Sequence, residues 1–424
     1  MSHGCILKSL AAISGLTLLF VAQICADDGP TVQVFSSANP GVGPVFMPFE
    51  KFPVGVSLSL NAGYDTNVGT ASVNEHPSFF SSASLGLNYS FGTERTRVGL
   101  SWGTSLTYYS NGVSNGFGNY DPDTSLHMSI SHIVSDRLNL TAGIYAHYGV
   151  EPDFYIGTVN THRSGYYFVS SDSISASYQW LERFSTVTSY SFSVTKYADE
   201  PYSSELDRLD QGISQQFRFL LLPMTTVVGT YGFSLGSYDV GQRNTYSQVV
   251  TLGVDQTIGP RTQGSLNVGA QYYSSDIEKS ANIAPYVAGN FSFIVGEKTS
   301  LNWSAQYSTE QSNIPGASSQ QGFSTGLHLS YAITPRITSS LSTYYSHSNY
   351  KGQKVFLIDF TRLIIIPEQP TFTEDSLDFG ISLSYAITPR LSANADAHYS
   401  EVSSNTRDRP YSRARLSGGI SFSF

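Results

Sequence analysis

The sequence predicts an all-β protein, a transmembrane antiparallel up-and-down β-barrel of about 18 strands, from three observations. Apolar and polar residues alternate with period two over many segments, tight-turn signals recur at roughly 40-residue spacing, and the chain stops on Ser421-Phe422-Ser423-Phe424. In that last segment Phe424, Phe422, Ile420, Gly418, Leu416 and Ala414 fall on one face. Ser423, Ser421, Gly419, Ser417, Arg415 and Arg413 fall on the other, so one face suits lipid and the other water. Phe422 and Phe424 are read as a terminal assembly signal, because the last strand must pair with the first where lipid leaves no water for an open edge.

From the amino terminus, Lys8 supplies a short positive region and Leu10 to Ala22 is apolar but too short to span a bilayer as a helix. Ala26 ends a cleavage-like site before Asp27-Asp28, so residues 1–26 are expected to be a signal peptide. Ile24 and Ala22 disfavour lipidation of Cys25. Cys5 and Cys25 both lie in that segment, so the mature chain is expected to have no thiol for catalysis, disulfides or metal binding. Residues 27–53, with Pro40-Gly41-Val42-Gly43-Pro44 and Pro48-Phe49-Glu50-Lys51-Phe52-Pro53, are read as a periplasmic Pro/Gly-rich tether, the alternative being a plug entering the lumen.

The barrel is expected over 54–424. Val54, Val56, Leu58, Leu60, Ala62 and Tyr64 interleave with Gly55, Ser57, Ser59, Asn61 and Gly63. Leu391, Ala393, Ala395, Ala397 and Tyr399 interleave in the same way with Ser392, Asn394, Asp396, His398 and Ser400. A soluble β-sandwich would also alternate. The signal peptide, the lack of core-sized aliphatic runs and the terminal Phe favour the membrane. Short turns are expected at Gly92-Thr93-Glu94-Arg95, Ser135-Asp136-Arg137, Leu181-Glu182-Arg183, Leu222-Pro223-Met224, Gly259-Pro260-Arg261, Gly296-Glu297-Lys298, Thr334-Pro335-Arg336 and Thr388-Pro389-Arg390. Each interval holds two strands of about 11 to 16 residues, unlike the four short strands of a propeller blade. Both ends then face the periplasm, and the longer Asn-, Gly-, Asp- and Pro-rich connections, such as Ser110 to Asp123 and Glu310 to Gln320, face the cell exterior. The loop Lys351 to Thr373 is unusually apolar, which fits a hairpin standing above the membrane or a loop folded inward to constrict the pore.

Composition narrows the partners. Loss of Lys8 with the signal takes the net charge from −9 to −10, and with 13% charged residues no basic stripe exists to hold nucleic acid. The 28 Tyr and 25 Phe suit aromatic girdles at the two lipid interfaces, and mean hydropathy is −0.12. The expected partners are outer-membrane lipid and the barrel-assembly machinery, and the expected location is the bacterial outer membrane.

The chemistry is sparse. The mature histidines, among them His147 and His398 on lumen parity, are scattered, and no P-loop, Rossmann or HExxH pattern stands in context. No enzyme, cofactor or metal site is expected. What remains is a pore lining: Arg97, Arg218, Arg413 and Arg415 face inward by parity with Asp378, Asp396, His328 and His398. Opposed charges in a channel orient hydrated solutes, although wet lumen side chains need have no such role. A barrel of about 16 to 18 strands leaves an aqueous channel, so passage of small hydrophilic solutes is expected, against a closed structural or surface-binding barrel.

The strand Leu60-Asn61-Ala62-Gly63-Tyr64-Asp65-Thr66-Asn67-Val68, followed by Ser84-Leu85-Gly86-Leu87-Asn88-Tyr89 and the repeated Tyr-Ala-Ile-Thr-Pro-Arg turns, resembles the putative β-barrel porin-2 group. The resemblance implies the same barrel and, from some members, exopolysaccharide export. It implies no catalytic residues.

Overall fold

The computed structural model describes residues 54–424 except 112–118, 151–165, 199–205, 240–242, 260, 277–281, 297, 313–316, 353–354, 360–363, 369–370 and 406–408. The expected signal peptide at 1–26 and tether at 27–53 lie outside the described residues.

Eighteen strands form one antiparallel sheet. In chain order they are β1 (Val54–Asp65), β2 (Ser78–Gly92), β3 (Thr96–Tyr109), β4 (Tyr120–Ser135), β5 (Leu138–Val150), β6 (Tyr166–Leu181), β7 (Phe184–Tyr197), β8 (Arg208–Leu222) and β9 (Thr225–Tyr238). They continue as β10 (Thr245–Thr257), β11 (Thr262–Ser275), β12 (Asn282–Val295), β13 (Thr299–Glu310), β14 (Ala317–Thr334), β15 (Ile337–Gly352), β18 (Thr371–Ala386), β19 (Leu391–Ser404) and β20 (Tyr411–Ser423). Each strand pairs with its neighbours in sequence, and β20 pairs back onto β1 with Leu58 opposite Phe422 and Leu60 opposite Ile420. Val56 and Phe424 close the circle by exchanging backbone bonds of 2.7 and 2.9 Å. Closure leaves no open edge, which is the condition for a sheet in lipid.

All eight expected short turns join paired strands. Their chemistry is local: the hydroxyls of Thr93, Ser135, Thr334 and Thr388 accept the backbone N–H three residues on, at 3.0 to 3.2 Å. Gly259 and Gly296 take the positive φ values of 80° and 63° that open two further bends, and Gly92, at φ 145°, leads into the Thr93 turn.

The expected loops are shorter than their composition indicated. β4 begins at Tyr120 and β14 at Ala317, inside segments read as connections. Pro122 is tolerated because it pairs with Leu106 of β3, whereas pairing with β5 begins only at Thr124. Within Lys351 to Thr373, β16 (Val355–Asp359) and β17 (Ile364–Glu368) form a separate two-stranded hairpin, while β15 and β18 pair directly up to Lys351 and Thr371.

Alternation along the strands separates two surfaces. Leu58, Leu60, Leu252, Val254, Leu266 and Ile381 are exposed on the outside, bounded by aromatics such as Phe91, Trp180 and Phe424 near the short turns and Tyr64, Tyr108 and Tyr345 near the long loops. The buried side chains lie mainly inside, at the long-loop end. There Val68 packs on Phe80 and Tyr109, Leu206 packs on Tyr167 and Tyr197, and Tyr350 stacks on Phe372 at 4.5 Å.

Candidate functional site

The lumen wall toward the short turns is built largely from small polar residues, because most strands there place Ser, Asn or Gln at inward positions. Ser59 and Ser421 bond across the β1–β20 seam at 2.9 Å, and Asn394 donates to Asn61 Oδ1 at 3.0 Å. Such side chains bind water as readily as each other and leave the wall wettable.

The sequence-expected lining residues all sit on strand faces turned to the interior, but they do not form one site. Arg97 is exposed at the short-turn end of β3 and lines a cavity of about 430 Å³. Arg218 donates to Asp255 Oδ2 at 2.6 Å and to Gln216 Oε1 at 3.2 Å. Asp396 accepts from Asn394 Nδ2 at 2.9 Å. His398 Nε2 lies 3.0 Å from Asp378 Oδ2 as an ion contact without aligned hydrogen-bond geometry. His328 stands between Asn302 and Ser342 in the ladder. Arg415 carries its guanidinium 4.1 Å above the Phe80 ring, a cation–π arrangement. Arg413 is held by Asp65, so its charge is compensated where it stands. Phe422 and Phe424 lie outside, exposed, with ring centroids 5.5 Å apart.

The long-loop end is organised by the Gly63-Tyr64-Asp65-Thr66-Asn67 segment. Gly63 is required by close approach: a Cβ there would lie 2.1 Å from Leu416 O and 2.6 Å from the Phe80 ring. Tyr64 faces outward against Phe79 at 5.0 Å. Asp65, wholly buried, binds Arg413 and accepts the Asn67 N–H at 3.1 Å. The Asn67 amide then donates to Ala71 O and Ser412 O, at 2.9 and 3.2 Å. The connection after β1 is thereby turned inward, and Val68 is buried against lumen-facing Phe80.

A second inward segment crosses from the other side. Gln311, just after β13, donates to Asp210 Oδ1 of β8 at 2.7 Å and accepts from Thr245 Oγ1 of β10 at 2.9 Å, spanning 101 residues of sequence in the first bond. Arg243 donates to Ala317 O at 3.1 Å, and Arg409 holds the buried Glu374 through two bonds of 2.7 and 3.1 Å. Among the described residues, inturned contacts gather at this end of the lumen.

These contacts were outside sequence reasoning. The Gly-Tyr-Asp-x-Asn motif was visible as a pattern, and its role follows only from the partner Arg413 at the far end of the chain. Gln311, Arg243 and Arg409 carry no local signal, since their partners are brought together by barrel closure alone. His147, placed on lumen parity by sequence, lies 2.7 Å from Asp123 Oδ2.

The family profile described as Putative beta-barrel porin 2 matches residues 39–424. Among solved structures, the Pseudomonas aeruginosa protein OpdK crystallised with vanillate is similar at 12% identity and TM-score 0.45, over 88% of this chain and 99% of that one. Acinetobacter baumannii OccAB3 is similar at 9% identity and TM-score 0.43, over 88% and 99%. The siderophore receptor PirA of Acinetobacter baumannii is similar at 8% identity and TM-score 0.44, over 88% and 80%. No curated protein matches the sequence.

Proposed function

We propose that this chain, which belongs to the Putative beta-barrel porin 2 family and to the bacterial outer membrane, is a channel for passive passage of hydrophilic solutes. The observation that carries this reading is the closed ring of eighteen strands with a serine- and asparagine-lined interior. Barrels of about 16 to 18 strands are too wide for their own side chains to fill, so water occupies what loops do not. The mixed charges of the wall, Arg218 with Asp255 and His398 with Asp378, would orient hydrated solutes by a transverse field and favour no single small ion strongly. The inturned segments at Val68 and Gln311 would set the narrowest part.

Export of an exopolysaccharide is a second reading. It is favoured by the lumen-facing aromatics at the extracellular end, Tyr109, Tyr167, Tyr197, Tyr238, Tyr273 and Tyr344, all buried in this structure. Aromatic faces stack on the apolar faces of sugar rings, and these become available where the inturned segments open. Assembly would run through the barrel-assembly machinery, with the outer apolar band in contact with lipid.

Planar-bilayer recordings of the purified barrel test the proposal, together with liposome swelling in neutral sugars of increasing size. Open channels with a sharp size limit are expected for the passive channel. Blockage from the periplasmic side by a long polysaccharide, with little swelling by small sugars, favours export. A folded barrel that neither conducts nor swells vesicles is a closed structural or surface-binding protein.

A further inference from the structure

Seven of the eight short turns end on a basic residue at one equivalent position: Arg95, Arg137, Arg183, Arg261, Lys298, Arg336 and Arg390, with Met224 the exception. The equivalence is structural. The backbone carbonyl of each of the seven accepts an N–H from the neighbouring hairpin at 2.8 Å, and that of Met224 does so at 2.9 Å. Each basic residue also stands two positions before an inward-facing strand residue, as Arg95 does before Arg97 and Arg137 before Asn139. Barrel closure therefore turns a recurrent turn residue into a ring of cations on one rim. Short turns of outer-membrane barrels face the periplasm. The turn sequences contain four acids, Glu94, Asp136, Glu182 and Glu297, so the rim is net positive on a chain of net charge −9.

One part of the ring lines a cavity. Arg95, Arg97 and Arg137 line the space of about 430 Å³, with Glu94 and Asp136 beside them. Among the described residues none of these three guanidinium groups is engaged in an ion pair. Asn139 Oδ1, on the same wall, is buried without a hydrogen-bond donor. Planar guanidinium groups match carboxylate and phosphate oxygens in bidentate fashion, and a lone amide oxygen asks for a hydroxyl or N–H donor.

We propose that the periplasmic mouth is an anion-binding vestibule, with Arg95, Arg97, Arg137 and Asn139 forming a site for a hydroxyl-bearing carboxylate or phosphate, such as an acidic saccharide. The proposal names the cargo class of the channel and rests on that reading only for the direction of supply. Binding itself is measured without transport. A solute arriving from the periplasm meets the cations first, is concentrated there, and exchanges toward the polar wall above.

The test is equilibrium binding of fluorescently labelled trigalacturonate to the full barrel folded in detergent, with neutral maltotriose of similar size as the comparison. The wild type is expected to bind the acidic sugar in preference, and the preference is expected to fade in salt, as the screening length falls from about 10 Å at 0.1 M to about 3 Å at 1 M. Arg95→Gln, Arg97→Gln and Arg137→Gln combined should weaken binding at least about tenfold, since several charge-assisted bonds are lost. The triple Arg→Lys variant keeps the charge and loses the bidentate fork, so it should bind more weakly than the wild type and more tightly than the triple Gln variant. Asn139→Ala, a single change that spares the turns, should weaken trigalacturonate and leave competition by sulfate, which carries no O–H donor at neutral pH, unchanged.

Equal binding of both sugars by the wild type, or undiminished binding by a folded triple Gln variant, overturns the proposal. So does a triple variant whose one defect is weaker association with phosphatidylglycerol bilayers, which would assign the ring to lipid headgroups. A barrel that binds the acidic sugar and does not conduct overturns the channel reading alone.

Discussion

The guanidinium of Arg413 in the last strand reaches the carboxylate of Asp65 in the first by contacts of 2.6, 3.0 and 3.1 Å, across 348 positions of sequence. Both side chains are buried, so the pair exists only in the closed barrel. Breaking one partner leaves the other charge desolvated, a loss of about 3–5 kcal/mol, whereas removing both costs less than the sum. We expect Arg413→Gln to lower the urea midpoint of the folded barrel in lipid, and Asp65→Asn with Arg413→Gln to recover part of the loss. Strict additivity of the two single changes would show that the pair is not a coupled unit.

Phe424 carries two roles at the same seam. Its N–H and C=O bond Val56, and its ring adjoins Phe422 on the lipid side. Deleting Phe424 removes both closing bonds and one interfacial aromatic. Accumulation of unassembled chain is the expected outcome, read from heat-modifiable migration in membrane fractions. Normal yield of heat-modifiable barrel would refute a closing role for this residue.

Strand number, short turns and facing were legible because each depends on neighbours in sequence: period two sets the face, and Gly, Pro, Thr and Ser set the turns. Pro122 and Asp123 looked like loop for the same reason, since composition does not reveal which side of a strand lacks a partner. Parity assigned the arginines a face, but their states were not readable from it. Arg413 is neutralised by Asp65 and Arg415 sits on Phe80, and both partners are brought by closure, at separations no local pattern encodes. The rim cations were visible one turn at a time, and only the common register makes them a ring.

The two faces of β19 differ sharply in what they tolerate. Ala395 is exposed to the outside, whereas Asn394 faces the lumen and bonds Asn61 and Asp396. Ala395→Arg places a charge in hydrocarbon at about 2–4 kcal/mol near the midplane, whereas Asn394→Arg meets water and the Asp396 carboxylate. Chemical denaturation of both variants in bilayers is expected to separate them clearly. Equal destabilisation would contradict the register of β19 between β18 and β20.

Gln271 supplies a bond that the backbone lacks. The β12–β13 ladder stops at Val287 opposite Tyr307, and two positions further on Thr309 would meet Pro285, which has no N–H to donate. Instead the Gln271 amide, reaching from β11, donates to Thr309 O at 2.7 Å and accepts the Thr309 N–H at 2.8 Å. Its Nε2 also donates to Ser247 Oγ at 2.9 Å, which fixes the amide orientation. Gln271→Leu is expected to strand a buried donor and acceptor at about 1–3 kcal/mol each, and to speed hydrogen exchange at the Thr309 amide more than at neighbouring strands. Pro285→Ala restores a backbone donor at the site of the gap. Its N–H can replace the donor to Thr309 O, so added to Gln271→Leu it should recover part of the lost stability. Unchanged exchange at Thr309 in the single variant would show that solvent or another group already satisfies it.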